Sequence, residues 1–180
     1  NESEFYLDDY KKLFSVLKKA RNEKKKIILF GVSYALLDFA KKYPIAIKDS
    51  IVIETGGMKG RKKEITRDEL HLNLKKGFGT KHVHSEYGMT ELSSQAYSFK
   101  NGKFQNPPWM KTLIRDINNP LMVSIIGKGA INIIDLANEH SCAFIATDDM
   151  GEVFKNQSYT VSGRLTETEI RGCNLMFNYN

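Results

Sequence analysis

Residues 87–91, Tyr-Gly-Met-Thr-Glu, carry the side chains that are best suited to chemistry in this chain. The glycine at position 88 lets a flat ring or a phosphate approach the backbone closely. The hydroxyl of Thr90 can donate to a phosphate oxygen, and the carboxylate of Glu91 can hold Mg²⁺ beside that phosphate. These side chains suit a nucleotide site, although the spacing alone favours a turn followed by a helix cap.

The first half of the chain alternates between helical and strand patterns, and the motif follows its last predicted strand. The periodicity predicts a helix in 5–21, a buried strand at 27–30, a helix around 36–40 and a buried strand at 50–54. Thr66 and Glu69 form a capping box that opens a third helix, which we expect to stop at Gly77. A third strand follows near Val83. This alternation predicts a parallel α/β segment over residues 1–92.

After residue 92 the pattern changes to short alternating segments separated by turns. Strands are predicted at 97–99, 131–133, 143–146 and 159–161. No long helical pattern occurs in this half. We therefore predict an α/β chain in which residues 93–180 form a β-rich, mostly antiparallel and barrel-like segment, joined to residues 1–92 in one structural unit.

The composition argues against several functional classes. The net charge is +6 and the isoelectric point is about 9.2. Most of the excess positive charge lies in lysine pairs beside helical patterns without interleaved aromatic residues, so we expect no nucleic-acid partner. No apolar run reaches the roughly 18–20 residues of a membrane helix, so we expect no membrane span. The only cysteines, Cys142 and Cys173, favour a reducing, cytoplasmic setting.

Three elements in a fixed order resemble those of the acyl-adenylate-forming superfamily, which contains acyl-CoA synthetases, luciferases and peptide-synthetase adenylation domains. The first is residues 87–91 at the end of a strand. The second is residues 145–151, Ile-Ala-Thr-Asp-Asp-Met-Gly, and the third combines residues 163–164, Gly-Arg, with residues 171–172, Arg-Gly. The resemblance implies that the chain is part of the large lobe of an adenylate-forming enzyme.

Within this superfamily the chain is similar to the LuxE-type acyl-protein synthetases. Residues 53–92, 107–110, 133–138 and 172–173 carry this similarity, which extends over residues 26–176. Such enzymes make an acyl-adenylate from a fatty acid and pass the acyl group to an enzyme cysteine, after which a reductase forms the aldehyde. The resemblance therefore implies a carboxylic (fatty) acid substrate, ATP and Mg²⁺ as cofactors, and an acyl reductase partner.

The resemblance also assigns roles to individual residues. Glu91 would bind Mg²⁺ and Thr90 would hydrogen-bond the α-phosphate, which are electrostatic and positioning roles. Asp149 would accept both ribose hydroxyls, but Asp148 stands where the family has glycine, so the choice between the two aspartates stays open. The nucleotide would be contacted by Gly56, Gly57, Tyr87, Gly88, Met89, Asp149 and Arg164.

Structural roles remain open for the same residues. Tyr87 would equally suit a protein core, Arg164 a surface ion pair, and the two glycines after residue 55 a plain turn. The resemblance makes Cys173 the candidate acyl acceptor, because the acylated cysteine of the family lies near the C-terminus, and the neighbouring Arg171 would favour its thiolate. Its alternative role is that of a small buried apolar residue. We assign Cys142 to packing inside a predicted strand.

The superfamily also has a Ser/Thr/Gly-rich phosphate loop upstream of the first helix, which this chain does not contain. We therefore expect the chain to be the C-terminal part of a longer enzyme and to be inactive alone. Two alternatives to an acyl-protein synthetase remain. One is a carboxylate–CoA ligase similar to phenylacetate–CoA ligases, in which Cys173 is structural. The other is a non-catalytic basic binding module.

Overall fold

The computed structural model describes residues 3–56, 65–100 and 102–165, which form a mixed α/β fold. These residues contain three helices and ten strands. None of the described helices is long and apolar enough to cross a membrane. The chain divides into two compact units.

Unit 1 comprises the described residues up to Glu86 together with Phe99–Gly102, and unit 2 comprises Tyr87–Ser98 and the described residues from Lys103 onward. The sequence pattern predicted a change after residue 92. The change of unit after Glu86 places all of residues 87–91 in unit 2.

Unit 1 contains a parallel three-stranded arrangement with helical crossovers. Its elements are α1 (Tyr10–Asn22), β1 (Ile28–Val32), α2 (Ser33–Lys42), β2 (Ile51–Thr55), α3 (Arg67–Phe78) and β3 (Val83–Tyr87), of which only Tyr87 belongs to unit 2. The strands pair in the order β1-β2-β3, with Val52 of β2 opposite Leu29 of β1 and Val83 of β3. The predicted parallel α/β segment is confirmed.

The core of unit 1 lies between these strands and the helices. Apolar residues at helical spacing supply one side of it and alternate strand residues the other. The buried apolar side chains are Leu17, Leu29, Leu36, Leu37, Phe39, Ala40, Ile45, Ile47, Val52, Leu70, Leu74, Phe78 and Val83. The rings of Phe39 and Phe78 stack at 6.0 Å and join α2 to α3.

Helix α3 begins as predicted but ends later. The side chain of Thr66 accepts a hydrogen bond from the backbone N–H of Glu69 at 3.2 Å, which confirms the N-cap. The helix continues through Gly77 to Phe78 and ends at Gly79, whose φ of +60° is left-handed. A Cβ atom at position 77 would lie 2.6 Å from the Cβ of Ala40. Gly77 therefore allows α2 and α3 to approach closely, and the prediction that it ends the helix is wrong.

A buried charged cluster links four elements of unit 1. Glu54 on β2 receives the hydroxyl hydrogen of Ser33 from α2 at 2.5 Å and lies 3.3 Å from Nε2 of His71 on α3. Ser85 on β3 lies 3.1 Å from the same nitrogen. Burial alone would raise the pKa of Glu54. Hydrogen bonds involving His71, Ser33 and Ser85, with the charge of His71, outweigh burial and hold that pKa below its ordinary value.

Unit 2 is β-rich and antiparallel. β4 (Ala96–Lys100) begins in unit 2, and the remaining strands are β5 (Lys103–Gln105), β6 (Met110–Arg115), β7 (Val123–Ser124), β8 (Gly127–Asp135), β9 (Phe144–Val153) and β10 (Tyr159–Arg164). From β5 onward they pair antiparallel in the order β5-β10-β9-β8-β6-β7. The predicted antiparallel segment is confirmed, although its described strands form an open sheet rather than a barrel, with the two-residue β7 at its edge.

A second apolar core fills unit 2. Its buried members are Tyr87, Leu92, Ala96, Phe104, Met110, Ile114, Ile131, Ile133, Val153 and Tyr159. Two pairing irregularities interrupt the ladders, one between Val161 and Gly163 on β10 and one between Ala130 and Asn132 on β8. Such bulges bend a strand and redirect its side chains. The first lies next to Arg164, a predicted site residue.

Candidate active site

The central contact of the candidate site joins Tyr87 to Asp149. Tyr87 is the last residue of β3, and its hydroxyl donates to Oδ2 of Asp149 on β9 at 2.7 Å. The tyrosine ring packs near Phe104 and Tyr159 at 5.9 and 6.0 Å between ring centroids. Burial raises the pKa of Tyr87, and the hydrogen bond to Asp149 and the charge of Asp149 raise it further. The hydroxyl therefore stays protonated and serves as a permanent donor.

The second oxygen of the same carboxylate meets an arginine. Arg164 of β10 lies opposite Asp149 in the strand register, and its Nε donates to Oδ1 of Asp149 at 3.1 Å. The arginine side chain is 77% exposed, whereas the Asp149 side chain is 11% exposed. Arg164 therefore has freedom to contact a ligand while it remains beside the carboxylate.

The backbone also fixes the position of Asp149. Its N–H donates to the hydroxyl of Thr147 at 3.1 Å, and that hydroxyl donates to the carbonyl of Ile131 at 2.8 Å. Each carboxylate oxygen has two lone pairs and accepts one side-chain hydrogen bond from a described residue, so each can accept one more. Asp149 is thus an oriented carboxylate with the capacity to accept two neighbouring hydroxyls.

The two consecutive aspartates lie in different environments. Successive side chains of a strand point to opposite faces. Asp149 is buried and bonded to Tyr87 and Arg164, whereas Asp148 is exposed and its carbonyl accepts from the N–H of Leu165 at 2.7 Å. Of the two, Asp149 is the buried carboxylate whose oxygens are both held by side-chain partners.

Thr90 and Glu91 form a turn separated by two residues from the end of β3, and both residues are exposed. The N–H of Leu92 donates to the carbonyl of Met89 at 3.1 Å, and the buried Leu92 side chain fastens the turn to the core of unit 2. The carbonyl of Glu91 accepts from Nδ2 of Asn138 at 2.7 Å. The Glu91 carboxylate is therefore accessible on a turn whose backbone is held.

Two predicted site residues are outside the described part of the chain, and one belongs to unit 1. Gly56 follows β2 in unit 1 with φ of +57°, which favours glycine. Gly57 and Cys173 lie outside the described residues. Cys142 is exposed and precedes β9, so its assignment to packing within a strand is wrong. Asn138 Nδ2 binds the Cys142 carbonyl at 2.9 Å and holds this residue in the connection before β9.

Sequence reasoning missed two residues that hold the segment after Glu91. Asp135 accepts hydrogen bonds from the N–H groups of Ser93 and Ser94, and Asn138 binds the carbonyl of Glu91. Both lie in residues 133–138, a segment that the sequence analysis used only as part of the family resemblance and to which it assigned no role. The available signal was an Asp at the end of an apolar strand with an Asn three residues later, residue types that bind backbone groups, but this pattern does not identify their distant partners.

The family profile described as "Acyl-protein synthetase, LuxE" matches residues 2–180 of this chain. The chain belongs to the LuxE acyl-protein synthetase family. The three elements on which the sequence analysis relied therefore stand in a member of the family that they resemble. No curated protein matches the chain significantly.

Solved structures of adenylate-forming ligases share the fold of this LuxE family member. Coronafacic acid ligase from Pectobacterium brasiliense is 17% identical with a TM-score of 0.62, over 87% of this chain and 32% of the ligase. ATP-bound MatB from Rhodopseudomonas palustris is 16% identical with a TM-score of 0.58, over 86% of this chain and 33% of MatB. The chain thus spans about a third of the length of these structures, and at such identities the similarity establishes the fold.

Proposed function

We propose that the protein carrying this chain activates a fatty acid with ATP and transfers the acyl group to the thiol of its own Cys173. In the first step a carboxylate oxygen of the acid attacks the α-phosphorus of ATP, which forms the acyl-adenylate and releases pyrophosphate. In the second step the Cys173 thiolate attacks the acyl carbon, the bond to the phosphate oxygen breaks, and AMP leaves. The thiol proton passes to solvent and a thioester remains.

The observation that carries this proposal is the hydrogen-bonded set of Tyr87, Asp149 and Arg164 in a chain of the LuxE family. A ribose presents two adjacent hydroxyls, and the two oxygens of Asp149 each retain a lone pair that can accept one of them. Tyr87 keeps the carboxylate from rotating. Arg164 supplies an exposed positive charge for the nucleotide phosphate or ribose.

The exposed turn after β3 supplies the phosphate-facing groups of the proposed site. The hydroxyl of Thr90 donates to an α-phosphate oxygen, and Gly88 leaves the backbone accessible to the nucleotide. Glu91 suits Mg²⁺, which proteins bind through one or two carboxylates together with substrate phosphates. When bound, Mg²⁺ neutralises the phosphate charge. Holding these groups in place before reaction is what lowers the barrier to such transfers.

The remaining assignments are part of the same proposal. Met89 contacts the nucleotide beside Gly88. The sequence-based assignment of Gly56 and Gly57 to the nucleotide stays a prediction. An acyl reductase is the proposed partner that receives the acyl group from Cys173. A free thiol acceptor requires reducing conditions, so we place the enzyme in the cytoplasm.

Transfer to the enzyme is tested by mass spectrometry of the full-length protein after incubation with ATP, Mg²⁺ and a long-chain fatty acid. We expect a hydroxylamine-labile acyl adduct on the peptide that contains Cys173. The adduct is absent from Cys173→Ser and present in Cys142→Ser, the matched control, because Cys142 is the other cysteine of the chain.

The same experiment with added coenzyme A separates the proposal from its alternative. Free acyl-CoA with an unmodified enzyme would contradict self-acylation and identify a carboxylate–CoA ligase. Neither product, together with salt-dependent binding to a polyanion, would instead indicate a binding module.

A further inference from the structure

A buried carboxylate at the end of β8 holds the segment that follows Glu91. Oδ2 of Asp135 accepts from the backbone N–H groups of Ser93 and Ser94 at 2.9 and 2.8 Å, and Oδ1 accepts from the Ser94 hydroxyl at 2.7 Å. Ala137 donates to the same Oδ1 through its N–H at 3.2 Å. Asp135 thus fixes two consecutive amides of the loop that carries Glu91.

Asn138 holds the loop at Glu91 itself. Its Nδ2 has two hydrogens and donates to the carbonyls of Glu91 at 2.7 Å and Cys142 at 2.9 Å. Its Oδ1 accepts from the hydroxyls of Ser93 at 3.3 Å and Ser141 at 2.5 Å. All four hydrogen-bonding positions of the amide are therefore used, which determines its orientation.

Trp109 completes the set from the segment before β6. Its indole N–H donates to the Ser94 hydroxyl at 2.8 Å, so this hydroxyl accepts from Trp109 and donates to Asp135. The carbonyl of Trp109 accepts from the N–H of Leu136 at 3.0 Å. We call Asp135, Asn138 and Trp109 the anchor residues.

Among the anchor residues, Asp135 carries a buried negative charge whose desolvation costs free energy. A fully buried carboxylate loses its hydration and is tolerated only when several donors replace it. Burial alone would raise the pKa of Asp135, but hydrogen bonds from Ser94, Ala137 and Ser93 outweigh burial and hold that pKa below its ordinary value. The group therefore stays charged at neutral pH and binds the loop amides strongly.

We propose that Asp135 and Asn138 are positioning residues for Glu91, which hold its loop so that its carboxylate keeps one place relative to Mg²⁺ and the ATP phosphates. This inference rests on the proposed function, in which Glu91 binds the metal. An exposed ligand on a turn keeps its geometry only if its backbone is fixed, and partners behind a metal ligand change metal affinity or activity about 10- to 100-fold when removed.

The test is the dependence of ATP–pyrophosphate exchange on Mg²⁺ concentration in the full-length protein. Asn138→Ala removes the bond to the Glu91 carbonyl and leaves the Glu91 side chain unchanged. We expect its half-saturating Mg²⁺ concentration to rise about 10-fold or more, while the KM for the fatty acid stays within about twofold. Asn156→Ala is the matched control, because the Asn156 side chain accepts hydrogen bonds from Ser158 in the turn between β9 and β10, away from the loop of Glu91.

A second readout does not depend on activity. Amide hydrogen exchange at Ser93 and Ser94 is expected to accelerate about 10-fold or more in Asn138→Ala, with unchanged exchange in β9. If Asn138→Ala does not fold, Asp135→Asn takes its place and must change Mg²⁺ dependence and amide exchange in the same directions. Asparagine retains an oxygen for the two loop amides, so this variant preserves more of the anchor.

Two outcomes overturn the inference in distinguishable ways. A folded Asn138→Ala protein with wild-type Mg²⁺ dependence refutes the positioning role alone, provided that Glu91→Gln abolishes ATP–pyrophosphate exchange. ATP–pyrophosphate exchange that is insensitive to Glu91→Gln refutes the metal-binding role of Glu91. It thereby refutes both the proposed function of that residue and this inference.

Discussion

Replacing Tyr87 with phenylalanine isolates the hydrogen bond at the centre of the candidate site. The ring and its packing against Phe104 and Tyr159 are preserved, so no cavity forms. The loss is the 2.7 Å hydrogen bond to Asp149, which is almost fully buried. A hydrogen bond to a charged group contributes about 1.5–3 kcal/mol, and Arg164 still binds the other oxygen. We expect Tyr87→Phe to lower the free energy of unfolding by about 1.5–3 kcal/mol.

Urea denaturation followed by tryptophan fluorescence measures this loss. Trp109 is the single tryptophan of the chain and lies in unit 2 with Tyr87. With a denaturant slope of about 2 kcal/mol per molar urea, the midpoint should fall by about 1 M without a change of slope. A changed slope would show that the substitution alters the compactness of the folded or the unfolded state.

Tyr159→Phe is the matched control for Tyr87→Phe. Its ring lies in the same core, and its buried hydroxyl lies near Thr112 without a hydrogen bond of ordinary geometry to a described residue. Removal of such a hydroxyl should change the free energy of unfolding by about 0.5 kcal/mol or less. Equal effects of the two substitutions would refute the account of Tyr87. A double-mutant cycle of Tyr87→Phe with Asp149→Asn should then show a coupling energy near zero instead of about 1 kcal/mol or more.

Three further predictions follow from the same structure. Glu54→Gln should lower the free energy of unfolding at pH 7 by about 1–3 kcal/mol. Because the folded-state pKa of Glu54 is depressed below 4.5, this difference is fully present above pH 4.5 and is lost as the pH falls through the folded-state pKa, as denaturation at several pH values will show. Gly77→Ala should destabilise unit 1 by about 1–3 kcal/mol through its clash with Ala40, as measured by circular dichroism; no loss would contradict the close helix approach. Asp149→Asn should raise the KM for ATP about 10-fold or more, whereas the exposed Asp148→Asn should change it little; the reverse order would assign the ribose to Asp148.

The parallel part of the fold was predictable because its signals are local. Thr66 and Glu69 cap a helix through their own spacing, and the apolar runs that became β1 and β2 end at residues that suit turns. Gly77 was misread because the reason for its small size is a neighbouring helix, Ala40 being 37 positions away in sequence. Helix propensity alone predicts that such a glycine ends the helix, whereas the close approach of the two helices is visible only in their packing.

The site residues that belong to ordered motifs could be predicted from the sequence. Those that act through contacts between distant segments could not. Asp149 and Arg164 were found from their order along the chain, and they meet because β9 and β10 pair in register. The bonds from Asp135 to Ser94 and from Asn138 to Glu91 span 41 and 47 positions of sequence. No local pattern specifies such contacts, because they depend on how β8 lies relative to the loop.

ATP–pyrophosphate exchange by the full-length protein, with fatty and aromatic acids supplied in turn, tests the central claim most directly. The account predicts exchange that depends on the acid and on Mg²⁺, that is abolished in Glu91→Gln, and that persists in Glu139→Gln, an exposed glutamate of the same unit. Absence of exchange with every acid in a folded full-length protein would contradict acyl-adenylate formation.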